Sequence, residues 1–288
     1  MGSIWELDFY SRPILDENQK KVWEVLICES PSDVRANPES LFRFAKYCPS
    51  TQVNSGWLRT AIDEAIEKAT VSPTRIRFFR RQMNNMITKA CKDAGIPVQP
   101  SRRILILHKW LEQRIEEVYP KEPGYQAISN PSVRLDAPVP QRLPDALESE
   151  KWGFVTLKAS DFTEMNEWDI GFGEGFPLSM MGIEEEAKIP GILLFSGRAI
   201  PLAAWMSGLE LANLKFDPSL NNGRMILETG ASESWVLANI RNSEMQTEAK
   251  AFEQAKQKAN GVHFIGVQSS PESESFAGFW LLQEVVLA

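Results

Sequence analysis

From Trp5 to Tyr10 apolar and polar residues alternate (Trp5-Glu6-Leu7-Asp8-Phe9-Tyr10), the spacing of a strand with one buried face. Turn-forming residues follow in Asp16-Glu17-Asn18-Gln19, and residues 21–27 alternate again, so the pair predicts a β-hairpin. Beyond Ser55, which reads as an N-cap, Trp57, Leu58, Ala61, Ile62, Ala65, Ile66 and Ala69 fall on one stripe of a helix. Residues 75–81 read as a short strand. Residues 82–94 read as a helix with Met83, Met86, Ile87, Ala90 and Ala94 inward, stopped by Gly95 and Pro97. Ile104-Leu105-Ile106-Leu107 is apolar at every position, as a central strand is, and a last helix carries Trp110, Leu111, Ile115 and Val118.

Pro120, Pro123, Pro131, Pro138, Pro140 and Pro144 then exclude continuous helix or central strand, so residues 120–149 read as a linker. Past it, strands are expected at 152–157, 191–195, 224–228, 234–240, 262–268 and 276–286. A helix is expected at 244–259, ended by Gly261. The fold class expected is mixed α/β (α+β). An N-terminal domain (1–119) and a C-terminal domain (150–288), each a small mixed sheet with flanking helices, are joined by the Pro-rich linker.

Composition narrows the function classes. The 288 residues are 43% hydrophobic and 24% charged, ordinary for a soluble globular chain. Three cysteines (Cys28, Cys48, Cys91) without a C-x-x-C pair exclude an extracellular disulfide scaffold and point to a reducing compartment. With only His108 and His263 there is no ligand spacing for zinc and no support for a Ser-His-Asp triad; both read as structural. No secretory pattern opens the chain and no apolar run approaches 18 residues, so the expected localisation is cytoplasmic, with no integral membrane segment. No cofactor or metal is implied.

Charge changes the picture, because the net value of −7 hides two opposite regions. Residues 71–115 hold ten basic side chains against Asp93 and Glu112, whereas residues 161–186 hold eight acids and no base. Alternation across residues 75–81 places Ile76 and Phe78 on one face and Arg77, Phe79 and Arg81 on the other. An aromatic ring between two guanidinium groups suits single-stranded nucleic acid, with a base stacked on the ring and phosphates on the arginines. The following helix adds Asn84, Asn85, Lys89 and Lys92 as donors. The candidate RNA-binding set from this stretch is Arg75, Arg77, Phe79, Arg80, Arg81, Asn84, Asn85, Lys89, Arg102 and Arg103. In the competing reading, Phe79 is core and the arginines snorkel outward.

Other constellations are weaker. Glu6, Asp8 and Glu24 share one face of the hairpin, as the Mg²⁺ ligands of many nucleases do. The lysine that some such sites need is replaced by Leu26, so these side chains read as solvated strand acids. Gly171-Phe172-Gly173-Glu174-Gly175 lacks the lysine and the context of a phosphate loop and reads as a flexible aromatic loop.

Three stretches carry a family resemblance: Trp5-Glu6-Leu7-Asp8-Phe9-Tyr10-Ser11-Arg12-Pro13, Thr74-Arg75-Ile76-Arg77-Phe78-Phe79-Arg80-Arg81-Gln82-Met83-Asn84-Asn85-Met86-Ile87, and Gln99-Pro100-Ser101-Arg102-Arg103. With Trp280-Leu281-Leu282 near the end, the chain resembles the Tab-two family of oxygenic phototrophs. The resemblance implies a non-enzymatic, A/U-rich RNA-binding protein that promotes translation of photosystem reaction-centre messages, notably for photosystem I, and so photosystem biogenesis. The absence of a transit peptide fits a cyanobacterial member of that family, with translation or photosystem assembly proteins expected as further partners and a place in the cytoplasm or at the periphery of thylakoid membranes. The resemblance also makes Trp280, Leu281 and Leu282 the RNA-associated element. Period two sets Trp280 and Leu282 on one face and Leu281 on the other, the pattern of core, so the tripeptide is expected to support binding indirectly. Two other readings compete: a protein-assembly factor docking partners through the acidic, aromatic loop 161–186, and a degenerate Mg²⁺ nuclease using Glu6, Asp8 and Glu24.

Overall fold

The computed structural model describes residues 3–31, 33–127, 139–219 and 223–285. Part of the proline-rich segment, with Pro131 and Pro138, lies outside the described residues, as does Val286. The chain divides into two compact units, one of Met1–Pro31, Pro38–Arg134 and Val286–Ala288, the other of Ser32–Asn37 and Leu135–Val285.

The first unit runs β1 (Ser3–Leu15), β2 (Lys21–Glu29), β3 (Arg43–Cys48), α1 (Ser55–Lys68), β4 (Pro73–Phe78), α2 (Asn84–Asp93), β5 (Val98–Pro100) and α3 (Leu105–Gln113). Its sheet has the order β3-β2-β1-β4-β5. The predicted hairpin forms, with Asp8 opposite Leu26 and Tyr10 opposite Glu24, and β4 and β5 add in parallel. Trp5, Leu7, Phe9, Val25, Ile27, Ile76 and Phe78 share one face and pack with Leu58, Ile62, Ile87 and Cys91 of α1 and α2. The other face carries Glu6, Asp8, Glu24 and Arg77, and α3 lies over β1 and β2 there. Strands β1 and β2 are therefore buried on both faces over their central residues, not on one.

Several boundaries differ from the sequence reading for identifiable reasons. Asn54, not Ser55, caps α1: its side chain accepts the Trp57 N–H at 2.9 Å. Strand β4 stops at Phe78, so the alternation expected through Arg81 ends early and Arg81–Met83 turn into α2. Ile104-Leu105-Ile106-Leu107 opens helix α3 rather than forming a strand. A fully buried apolar run has no period to separate the two.

The second unit runs β6 (Gln141–Arg142), β7 (Lys151–Lys158), β8 (Ile170–Glu174), β9 (Lys188–Phe195), α4 (Ala199–Ser207), β10 (Leu211–Asp217), β11 (Arg224–Thr229), β12 (Glu233–Asn239), α5 (Ser243–Lys258), β13 (Val262–Gln268) and β14 (Phe276–Gln283). It holds a five-stranded sheet, β7-β9-β13-β14-β8, and a four-stranded sheet, β10-β11-β12-β6. Leu143, from the stretch read as linker, is buried in this unit's core. The glycine-rich segment is strand β8, not a flexible loop. It pairs in parallel with β14, where a Cβ on Gly173 would collide with the Phe279 carbonyl. The aromatic residues of the acidic region turn inward too: Phe162 packs on Phe264 and Phe279, and Trp168 on Phe276.

Strand β14 lies between β13 and β8, and Trp280, Leu281 and Leu282 are all buried. Trp280 and Leu282 enter the core with Ile192, Leu202, Met206 and Ile265, while Leu281 points to the opposite face. The open edge of β10 is completed by side chains. Leu214 N–H donates to His263 Nε2 at 2.9 Å, the Leu214 carbonyl accepts Lys256 Nζ at 2.8 Å, and Phe216 N–H donates to Glu253 at 2.7 Å. His263 donates through Nδ1 to the Gly261 carbonyl at 2.9 Å, so the ring must be neutral. Burial, with Lys256 nearby, pushes it down to about 3.

Two outcomes follow. Trp280→Ala removes an indole from a packed core and should destabilise the fold by about 3–5 kcal/mol in chemical denaturation. Unfolded histidine titrates near its ordinary value of about 6.5. The stabilisation that His263 gives is therefore complete above that pH and is lost as pH falls towards about 3. His263→Gln should flatten the decline of melting temperature between pH 6.5 and 4 relative to the parent.

Candidate nucleic-acid interface

Three carboxylates meet the polar face of the first sheet because Glu6, Asp8 and Glu24 sit at alternating positions on paired strands. All three are buried, not solvated. Each is held by cation, hydroxyl or amide donors from elsewhere in the chain. Asp8 takes Arg12 at 2.9 Å and Arg80 at 2.8 Å. Glu24 takes Arg12 at 3.0 Å, the Tyr119 hydroxyl at 2.6 Å and Arg114. A single π-helical turn, Arg114–Val118, followed by Tyr119–Lys121, delivers those last two groups to one carboxylate. Glu6 accepts from Ser30 Oγ at 2.6 Å and from the Leu107 N–H at 2.8 Å. It therefore caps the first turn of α3, whose backbone donors have no partner within the helix.

The electrostatics follow from this packing. Burial raises the Glu6 carboxyl to about 7, against the opposing pull of Ser30, the Leu107 amide, Arg77 and Arg103. Burial acts the same way on Asp8, but the guanidinium groups of Arg80 and Arg12 outweigh it and hold its carboxyl below the ordinary range. Arg80 is sandwiched by aromatics, 4.1 Å from the Tyr10 ring and 4.7 Å from the Phe79 ring. With their oxygens taken by guanidinium, hydroxyl and amide donors, these acids do not converge on a common metal position. Among the described residues no cluster of three or more His, Cys, Asp or Glu is arranged to hold an ion.

The predicted basic set is thereby divided. Arg77, Phe79, Arg80 and Arg103 are buried, and Arg75, Asn84 and Arg102 are partly buried. The proposed surface of Phe79 between Arg77 and Arg81 does not form. Phe79 lies past the end of β4 against Arg80, and Arg77 lies beneath α3 beside Glu6. Nor do the arginines snorkel outward as a group. Arg81, Asn85 and Lys89 are exposed, with Lys92 beside them, on the side of α2 opposite Ile87, Ala90 and Cys91. Lys89 pairs with Asp93 at 2.9 Å, an exposed contact that salt would screen. Trp280, Leu281 and Leu282 are buried in the other unit and offer no surface.

The sequence reading missed a second basic and aromatic group. Strand β3 is an edge strand whose Arg43, Ala45 and Tyr47 are exposed at every second position. The Arg43 and Arg114 guanidinium carbons each lie 5.8 Å from the ring centre of half-buried Trp110. Tyr47 Oη accepts from Arg114 at 3.5 Å and donates to Glu122 at 3.1 Å. The signal was present only as Arg43-Phe44-Ala45-Lys46-Tyr47, a short alternation too polar to read as a strand.

Buried and exposed arginines should therefore separate in mutation. Arg12→Ala leaves Asp8 and Glu24 short of a counter-charge in the interior and should cost about 3–5 kcal/mol of stability. Arg81→Ala should stay within about 0.5 kcal/mol. Urea denaturation of the two variants checks the contrast.

Residues 4–114 match the family model described as RNA-binding protein Tab2/Atab2 N terminal, and residues 130–283 match the Tab2/Atab2 C-terminal domain. The chain is 40% identical over 288 residues to the chloroplastic protein TAB2 homolog of Zea mays, covering 98% of this chain and 71% of that one. It is 41% identical over 285 residues to the chloroplastic TAB2 homolog of Arabidopsis thaliana, covering 96% and 74%. No solved structure matches.

Proposed function

Because the chain belongs to the Tab2/Atab2 family of RNA-binding proteins, we propose that it binds A/U-rich single-stranded RNA without catalysis and promotes translation of photosystem reaction-centre messages in the cytoplasm of a cyanobacterium. The observation that carries the reading is the match of both family models, which together take in most of the chain. In this reading Arg81, just before α2, and Asn85, Lys89 and Lys92 on it supply phosphate and base-edge contacts, since these four are exposed, and half-buried Arg75, Asn84 and Arg102 contribute less. Buried Arg77, Arg80, Arg103 and Phe79 support that surface by holding β4 and the start of α2 against the carboxylates. Trp280, Leu281 and Leu282 act through the fold of the second unit. No helix among the described residues is long and apolar enough to cross a membrane.

The nuclease alternative loses its support in the pairing of Asp8 and Glu24 with arginines. The assembly-factor alternative loses its exposed aromatics, because Phe162 is buried and Trp168 stacks on Phe276.

The test is binding of an A/U-rich single-stranded RNA measured at several salt concentrations. Replacing Lys89 and Lys92 with Ala should weaken binding to all sequences alike and lower the slope of log affinity against log salt by roughly one per lost phosphate contact. An unchanged slope would remove α2 from the interface, and absence of any RNA binding by the parent would overturn the function.

A further inference from the structure

We propose that edge strand β3 and helix α3 form a second single-stranded RNA contact, in which the Trp110 indole takes a base and Arg43 takes the adjoining phosphate. This rests on the RNA-binding reading above and adds to it a site that the basic stretch does not contain.

The first argument is charge. Two exposed cations of this unit face acids one turn along their own helices: Arg59 lies 3.3 Å from Asp63 and Lys89 2.9 Å from Asp93. Arg43 is exposed, and among the described residues no carboxylate pairs with it; its recorded contact is with the Trp110 ring. A guanidinium with no anion partner is a ready donor to phosphate oxygens, and its planar fork suits that geometry.

The second argument is shape. Trp110 is half-buried, anchored from one side by Arg114, which is itself fixed to Glu24 and to Tyr47. An indole held in place by its helix and by the fixed Arg114 guanidinium needs little further ordering to receive a base, and aromatic stacking of this kind is indifferent to base identity. Tyr47 stands two positions beyond Ala45 on the same exposed row, so strand geometry sets it roughly 13–14 Å from Arg43. Its hydroxyl is tied to Glu122, which leaves the ring face as a second stacking surface.

The path has a direction. Tyr47 also borders a groove of about 500 Å3 lined by Ile14, Leu15, Val22 and Pro123, whose acids Asp16, Glu17 and Glu122 repel a phosphate backbone. RNA therefore runs from Tyr47 towards Arg43 and away from the groove. Because β3 and β5 are opposite edges of the sheet, this contact is separate from the one at α2, which packs on β5.

The experiment uses the full chain and a short fluorescent A/U-rich single-stranded RNA, with affinity read at two salt concentrations and stability read in parallel. Arg43→Glu, at an exposed position, should keep the parental melting temperature yet weaken binding by at least tenfold and reduce the salt slope. Arg43→Lys should restore most of the slope. Trp110→Phe, which keeps an aromatic face, should retain more affinity than Trp110→Leu at matched stability. Ultraviolet crosslinking should recover RNA on the peptide that contains Trp110. A parent that binds RNA while Arg43→Glu binds equally well, or crosslinks that avoid this peptide, would overturn the β3 contact and leave the RNA reading intact. A parent that binds no RNA would overturn both.

Discussion

Three buried carboxyl groups organise the first unit. Glu6, Asp8 and Glu24 occupy one face of the hairpin, and an isolated carboxylate in such a place is unfavourable by several kcal/mol. The rest of that layer is arranged around their compensation. Arg12 bridges Asp8 and Glu24, Arg80 closes the second side of Asp8, and Arg114 and Tyr119 close Glu24. Glu6 draws the first turn of α3 onto the sheet through the Leu107 amide. The position of α3, the π-helical turn after it and the direction in which β4 leaves the sheet all answer to where those acids lie.

Much of the fold was legible in the sequence because it depends on periods. The β1–β2 hairpin, the apolar stripe of α1, the end of α2 at Gly95, and strands β7, β9, β11, β12, β13 and β14 follow from alternation, helical spacing and stop residues. Strand β3 is polar on its open side and β5 is three residues long, so neither gives a period to read. Residues 104–107 were misread because total burial erases the difference between helix and strand. The site misled for a different reason. Along the sequence the acids of residues 6–24 and the bases of residues 77–114 look like two unrelated features, one solvated and one awaiting RNA, whereas they pair with one another at separations of 72 to 90 residues. The i,i+4 spacing of Asp8 and Arg12 was the single local sign of it.

That pairing also reconciles an acidic chain with nucleic-acid binding. A count of charge along residues 71–115 overstates what reaches solvent, because Arg77, Arg80 and Arg103 are buried. What reaches solvent is a few cations, Arg81, Lys89 and Lys92 among them. Positioning by a small number of phosphate contacts, with stacking beside them, is a sufficient basis for binding by a protein whose pI is about 5.2.

The span of these ion pairs has a consequence for how the protein is made. The hairpin that bears the acids is synthesised first, while the Tyr119 hydroxyl that completes Glu24 lies 95 residues later. At ordinary elongation rates of 5–20 residues per second, the ribosome needs about 5–20 s to supply it. Through that interval the hairpin has an apolar face ready to collapse and a polar face that resists leaving water. The carboxyl groups of the hairpin therefore cannot all find their partners until the segment after α3 has been made.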